Sequence, residues 1–178
     1  MMRQFHAAKE KHPNALLFFR MGDFYEMFFE DAKIASKELG LSLVARDKAK
    51  KVPMAGVPVK SMEGYLTRLV RAGHSVAICE QLQDPRDAKG IVERGVVRVV
   101  SPGTLVDESS LIGSEPVFVL AVDIDNGDGL GLAWADLSTG AFRCSQCSVD
   151  AFIEEVSRIQ PAEVLLPEFN SSEEGASF

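Results

Sequence analysis

Three groups of side chains in this sequence combine types and spacings that could do chemistry. The densest runs from Phe18 to Phe29 and holds six of the fourteen aromatic residues of the chain, with Phe24 and Glu26 two positions apart inside it. A ring projecting outward from a helix entrance could act as a wedge between stacked bases, entering from the minor groove. A carboxylate near phosphates is repelled, so a binding role for Glu26 requires that it face a base donor or be protonated in a dry site. The same residues admit a structural reading. Asp23 and Glu26 are spaced almost as a capping box, and Phe24 lies near enough to the apolar stripe of a helix to be buried. Residue types alone leave both readings open.

The second group is basic. Arg46, Lys48, Lys50 and Lys51 place four cations in six positions, which reads either as a solvated loop or as a set of phosphate contacts that position a protein without sequence preference. The third group is acidic. Asp123, Asp125 and Asp136 fall on or beside strand-like runs, where a metal-dependent nuclease of ribonuclease-H type would hold its aspartates, yet turns explain them equally well. Cys144 and Cys147 have the spacing of half a zinc site, but His6, His12 and His74 all lie in the other half of the chain, so no four-ligand set is expected. No G-x-x-x-x-G-K-[ST] occurs, which excludes a P-loop nucleotide hydrolase on this chain, and no nucleophile and base pairing stands out.

The elements that must position these groups are legible from period and punctuation. A polar helix over Met1 to Lys11 stops at His12-Pro13-Asn14, Leu16 to Arg20 reads as a buried strand, and Met21-Gly22-Asp23 as a turn. Apolar residues at steps of three and four, from Tyr25 through Phe28, Phe29, Ala32 and Ala35 to Leu39, predict one helix from Phe24 to Leu39, closed by Gly40. Strands are expected at Ser42 to Ala45, Pro53 to Pro58, Ser75 to Gln81 and Val96 to Val100, with a helix capped by Ser61 and ended at Gly73, and a loop from Asp84 to Gly90. Beyond a linker around Ser101 to Glu115, the runs Val117 to Asp123, Leu130 to Leu137 and Ala141 to Gln146 predict an antiparallel meander, followed by a helix from Val149 to Ile159 and a strand from Glu163 to Leu166. The expected fold class is α/β (α+β): a mixed-sheet domain over residues 1–105, then part of a ribonuclease-H-like domain over 106–178. The Ser/Glu/Gly-rich tail ending at Phe178 predicts a fragment of something longer.

Composition sharpens the division. The net charge of −7 conceals 17 Lys and Arg against 12 Asp and Glu from Met1 to Thr104, and 2 against 14 from Leu105 onward. The basic half is the candidate for a polyanion and the acidic half is not, unless the asymmetry is only an uneven spread of solubilising charge. The longest apolar run, Val117 to Val122, is too short to span a membrane, and three cysteines are too few for a disulfide framework. A cytoplasmic protein is the simplest expectation.

Four segments carry a resemblance: FFRMGDFYE (Phe18 to Glu26), PMAGVP (Pro53 to Pro58), SVAICEQ (Ser75 to Gln81) and VVRVVSPGT (Val96 to Thr104). In order and spacing they resemble the N-terminal mismatch-recognition domain of the MutS family of bacterial DNA mismatch repair proteins. The stretch from Leu105 to Phe178, with its LSTG turn and PAEVLLP segment, is similar to the start of that family's connector domain. The resemblance implies that Phe24 stacks on a mispaired base in the minor groove of a kinked duplex and that Glu26 hydrogen-bonds to that base. It also implies that Arg46, Lys48, Lys50, Lys51, Met54 and Arg94 lie along the DNA backbone. Val59-Lys60 departs from the Tyr-His pair common after GVP, and Gly95 stands where a lysine is frequent, so contacts made there are not carried over. The implied partners are double-stranded DNA with mismatches or small loops, a MutL-type repair protein through the connector, and a second copy in the full-length protein. The implied place is the bacterial cytoplasm, at the nucleoid. ATP and Mg belong to family parts expected beyond Phe178, so this chain is expected to hold no cofactor and to be no enzyme. The alternative from a different class is a metal-dependent nuclease built on the second domain.

Overall fold

The computed structural model describes residues 1–46, 52–84, 86, 88, 90–105, 116–124 and 129–167. The chain divides into two compact units, Met1–Leu105 and Val106–Phe178.

In the first unit six strands form one mixed sheet. Its centre is β1 (Ala15–Met21), whose first five residues are all buried, as expected of a strand covered on both faces. On one side β1 runs parallel to β5 (Ser75–Gln81), which pairs antiparallel with β6 (Arg94–Val100). On the other side it forms a hairpin with β2 (Phe24–Phe28), which pairs antiparallel with β4 (Pro53–Pro58), and β4 with the short β3 (Val44–Ala45). Prolines stand at the first and last positions of β4, where a missing N–H does least harm to the ladder. Helix α1 (Met2–Lys11) covers one face through Phe5, which packs on Leu17, Phe19, Phe28, Ala77 and Cys79. Helices α2 (Phe29–Leu39) and α3 (Met62–Arg71) cover the other through Ala32, Ala35, Leu39, Leu66, Leu69 and Val70.

One predicted element is corrected. The helix expected from Phe24 begins only at Phe29, and Phe24–Phe28 is a strand. The two-residue loop Gly22-Asp23, with Gly22 at φ +62°, has glycine first, as a tight hairpin prefers, and the aromatic-rich run after it favours extended backbone. The capping box therefore does not form. Phe29 itself has φ +54°, a left-handed conformation costly for an aromatic residue, and there the chain swings from sheet to helix. The same apolar residues serve both elements, so the step-of-three-and-four pattern masked the boundary. Gly40 ends α2 in the left-handed conformation, as its position predicted, whereas Ser61 makes no capping bond to α3 and donates instead to the Pro58 carbonyl.

Asp31 closes the gap this arrangement creates. Strand β2 accompanies β1 only from Met21 back to Phe19, leaving the Leu17 amide without a strand partner on that side. Asp31 Oδ2 accepts that N–H at 3.0 Å, while Oδ1 takes Lys9 Nζ at 2.8 Å and Lys9 also donates to the Ala15 carbonyl. One buried carboxylate thus joins α1, β1 and α2.

The second unit has the sheet order β10-β7-β8-β9, built from β7 (Phe118–Ile124), β8 (Gly129–Asp136), β9 (Ala141–Ser148) and β10 (Glu163–Leu165). The first three form an antiparallel meander, and β10 returns parallel to β7 after helix α4 (Phe152–Ile159), matching the predicted β-β-β-α-β order. Strand β8 alternates strictly, with Leu130, Leu132 and Trp134 packed toward α4. No helix among the described residues is long and apolar enough to cross a membrane.

Asp31→Ala is expected to lower the stability of the first unit by about 2 kcal/mol or more, because a buried amide is left without its acceptor and a part-buried ammonium loses its carboxylate. Urea unfolding followed by circular dichroism reads the loss, and hydrogen exchange at the Leu17 amide should accelerate. A change below about 0.5 kcal/mol would show that this bridge is dispensable.

Candidate nucleic-acid interface

Strand geometry, not helix geometry, sets out the candidate site. Side chains of a strand alternate between faces, so Phe24, Glu26 and Phe28 share the α1 side of the sheet while Tyr25 and Met27 enter the core under α2 and α3. Coverage falls away along the shared face. Phe28 is buried against the Phe5 ring at 5.1 Å, Glu26 is half-buried, and Phe24, beside the hairpin turn, is 48% exposed. Opposite them in register on β4 stand Met54 against Phe28, Gly56 against Glu26 and Pro58 against Phe24.

Tyr25 anchors the strand from behind. Its hydroxyl donates to Glu80 Oε1, and Arg20 reaches Glu80 Oε2 at 3.5 Å while lying 5.4 Å from the Tyr25 ring centre. Burial, and then the Glu80 carboxylate that accepts its proton, push the phenol pKa up to about 12, so Tyr25 is a donor at every physiological pH. The anchor was missed in the sequence because a helical period puts Tyr25 and Glu80 in unrelated places.

Glu26 is the unusual group. Among the described residues its carboxylate has no hydrogen bond or ion pair, and burial raises its pKa from the ordinary value despite the opposing fields of Arg46 and Arg94. Arg46 is exposed; its guanidinium rests 5.1 Å from the Phe28 ring and donates to the sulfurs of Met1 and Met2, at 3.1 and 3.6 Å, and among the described residues it has no carboxylate partner. Arg94 is more committed. It donates to the carbonyls of Arg20 and Val92 at 2.7 and 2.8 Å, approaches Gln4 Oε1 at 3.4 Å and lies 5.3 Å from the Phe19 ring. Met54 is half-buried in the α1-side core. Phe24, Glu26, Arg46, Met54 and Arg94 are thus gathered on or around one face, while Lys48, Lys50 and Lys51 lie outside the described residues.

The acidic and cysteine groups come apart. Asp123 pairs with Gly131 on the open face of the second sheet, whereas Asp136 lies on the α4 side, accepting bonds from Ser138 and Thr139 in the turn that follows β8. Two carboxylates on opposite faces cannot share a metal ion, and no cluster that could hold one occurs among the described residues. The nuclease alternative is therefore not supported; Asp125 lies outside the described residues. Cys144 and Cys147, paired with Ala133 and Leu130, also face opposite ways.

The family model described as MutS domain I matches residues 1–109, and that described as MutS domain II matches residues 117–177. Similar curated proteins, each named DNA mismatch repair protein MutS, include one from Desulfatibacillum aliphaticivorans, 51% identical over 171 residues, and one from Desulforamulus reducens, 46% identical over 172. These alignments cover 94% and 93% of this chain but 19% and 20% of the relatives. A relative from Rhodopirellula baltica is 46% identical, with 97% of this chain and 22% of its own length covered. The chain spans about a fifth of the length of the curated relatives it matches.

A carboxyl group whose folded-state pKa is raised adds stability below its unfolded pKa and loses it as pH rises through the folded value. Glu26→Gln is therefore expected to raise the melting temperature of the first unit at neutral pH, with the difference shrinking toward pH 4.5, the ordinary value. Melting curves of both proteins from pH 4 to 8 check this. A difference independent of pH, or a destabilised Gln variant at pH 7, would contradict the stated environment.

Proposed function

The chain belongs to the MutS family, and on that premise we propose that its first unit reads mispaired and unpaired bases in duplex DNA for mismatch repair. The observation that carries the proposal is the pairing of a half-exposed Phe24 with a Glu26 that has no partner among the described residues, on one face of β2. A mispair stacks and pairs less well than its neighbours, so an aromatic wedge that needs an opened step pays less of a penalty there than at a matched step. Phe24 fills the opened step from the minor groove of a kinked duplex. Glu26, two residues along the same face, meets the edge of the base that Phe24 stacks on.

The raised pKa of Glu26 supports a protonated carboxyl that donates to a base acceptor. Bringing phosphates and bases over this half-buried group removes water and adds negative potential, and both effects push it further toward the neutral form. Arg46 supplies the sequence-independent attraction to the backbone, its exposed guanidinium held over the Phe28 ring. Arg94 acts chiefly by its field, since its Nε and Nη1 donors are engaged within the fold. Met54 shapes the floor beside them, and Lys48, Lys50 and Lys51 extend the positive charge. The second unit, matched by the domain II model, is the connector toward a MutL-type repair protein, in a full-length homodimer of the bacterial cytoplasm. The sequence has no phosphate-binding loop, so residues that would hold ATP and Mg are not proposed on this chain.

In the full-length protein, Phe24→Ala is expected to reduce the preference for a G·T duplex over its matched counterpart by about tenfold or more, leaving salt-dependent binding to matched DNA in place. Arg46→Ala should instead weaken both duplexes alike and lower the slope of log affinity against log salt by about 1. Glu26→Gln should keep mismatch affinity within about twofold, since the amide also donates. Retained preference in a folded Phe24→Ala protein would overturn the reading; a large loss in Glu26→Gln would overturn the protonated carboxyl.

A further inference from the structure

We infer that Gly56 is a specificity-determining residue of this face: its missing side chain leaves open the slot between Phe24 and Glu26 into which the read base must descend. The inference rests on the reading of Phe24 and Glu26 given above. Gly56 stands in the interior of β4, directly opposite Glu26 in the antiparallel register. A Cβ built there would lie 3.9 Å from Glu26 Cγ, 3.9 Å from Phe24 Cδ1 and 3.4 Å from the Tyr25 carbonyl oxygen. A methyl group at this point would therefore touch both reading side chains at once and form a raised floor between them.

The fold itself does not ask for glycine here. Each of those separations is ordinary van der Waals contact, and Gly56 is absent from the glycines with positive φ, so an alanine would meet neither a clash nor backbone strain. Glycine inside a strand gives up packing and adds conformational freedom to the unfolded chain, which makes it a poor choice unless something must approach the backbone closely. What approaches is identified by the walls of the slot. One is an aromatic ring suited to stacking and the other a carboxyl suited to an in-plane hydrogen bond, and the flat heterocycle of a base engages both. Such a ring lies edge-on toward the floor, so the depth at position 56 decides whether its edge reaches Glu26 while its face stays on Phe24.

The test uses the full-length protein with Gly56→Ala, Gly64→Ala and Phe24→Ala, measuring melting temperature and binding to G·T and matched duplexes. Gly64, in α3, also has room for a methyl group, with nothing within 4 Å of the added Cβ, and controls for the general effect of alanine at a glycine. Gly56→Ala is expected to melt no lower than the wild type and to bind matched DNA as well, yet to lose about tenfold or more of its mismatch preference; Gly64→Ala should lose none. Retention of preference in Gly56→Ala while Phe24→Ala loses it overturns the slot and leaves the wedge standing. Retention in both overturns the underlying reading. A marked fall in melting temperature for Gly56→Ala also overturns the inference, because the glycine would then serve the fold.

Discussion

Successive side chains of a β-strand point to opposite faces, and the candidate site depends on that alternation within five residues of β2. Tyr25 and Met27 are fixed in the core beneath α2 and α3, which obliges Phe24 and Glu26 to share the other face about 7 Å apart along the strand. A helix would have separated them by more than half a turn, and no single base could touch both. The spacing of an aromatic, any residue and a glutamate is therefore a statement about a strand, with the middle residue serving as the anchor. The Tyr25–Glu80–Arg20 group holds that anchor from β5 and β1, so the reading pair is backed by a side chain tied to two neighbouring strands.

The contrast between two carboxylates shows where the fold has been optimised and where it has not. Asp31 is buried, and its two oxygens accept a backbone amide and an ammonium. Glu26 is half-buried, accepts nothing among the described residues, and is pushed toward protonation by the burial it has. A fold selected only for stability would carry glutamine or an apolar residue at position 26. An unpaired and perturbed acid beside an exposed ring is instead what a binding surface looks like before its ligand arrives.

Much of the architecture was legible in the sequence because burial and turn chemistry agree with it. Ser75–Gln81 and Pro53–Pro58 were expected as extended segments and are β5 and β4, and the meander, helix and returning strand of the second unit follow from alternating runs broken by glycine-rich and Ser-Thr-Gly turns. The failure at Phe24–Phe28 is instructive. Tyr25, Phe28 and Phe29 satisfy a helical stripe by accident, since Phe28 on one face and Tyr25 and Met27 on the other are all buried, which leaves this five-residue strand no clean period of two. The evidence against a helix lay in the Gly22-Asp23 hairpin loop just before it and in the aromatic density of the run. Gly56 and Glu80 were not legible as site residues at all, because only the register of β2 with β4 brings Gly56 to Glu26, and only the registers of β1 with both β2 and β5 bring Glu80 to Tyr25.

The alternation can be tested by placing a photoreactive ring at neighbouring positions of β2. Full-length protein carrying p-azidophenylalanine at position 24 or at position 25 would be bound to a duplex with a single G·T mispair, irradiated, and the crosslinked nucleotide mapped. The strand geometry predicts crosslinks from position 24 confined to the mispair and its immediate neighbours, and none to DNA from position 25, whose ring is buried on the opposite face. Comparable yields from the two positions, or crosslinks from position 24 spread along the duplex regardless of the mispair, would contradict the assignment of Phe24 as the residue that reads the base.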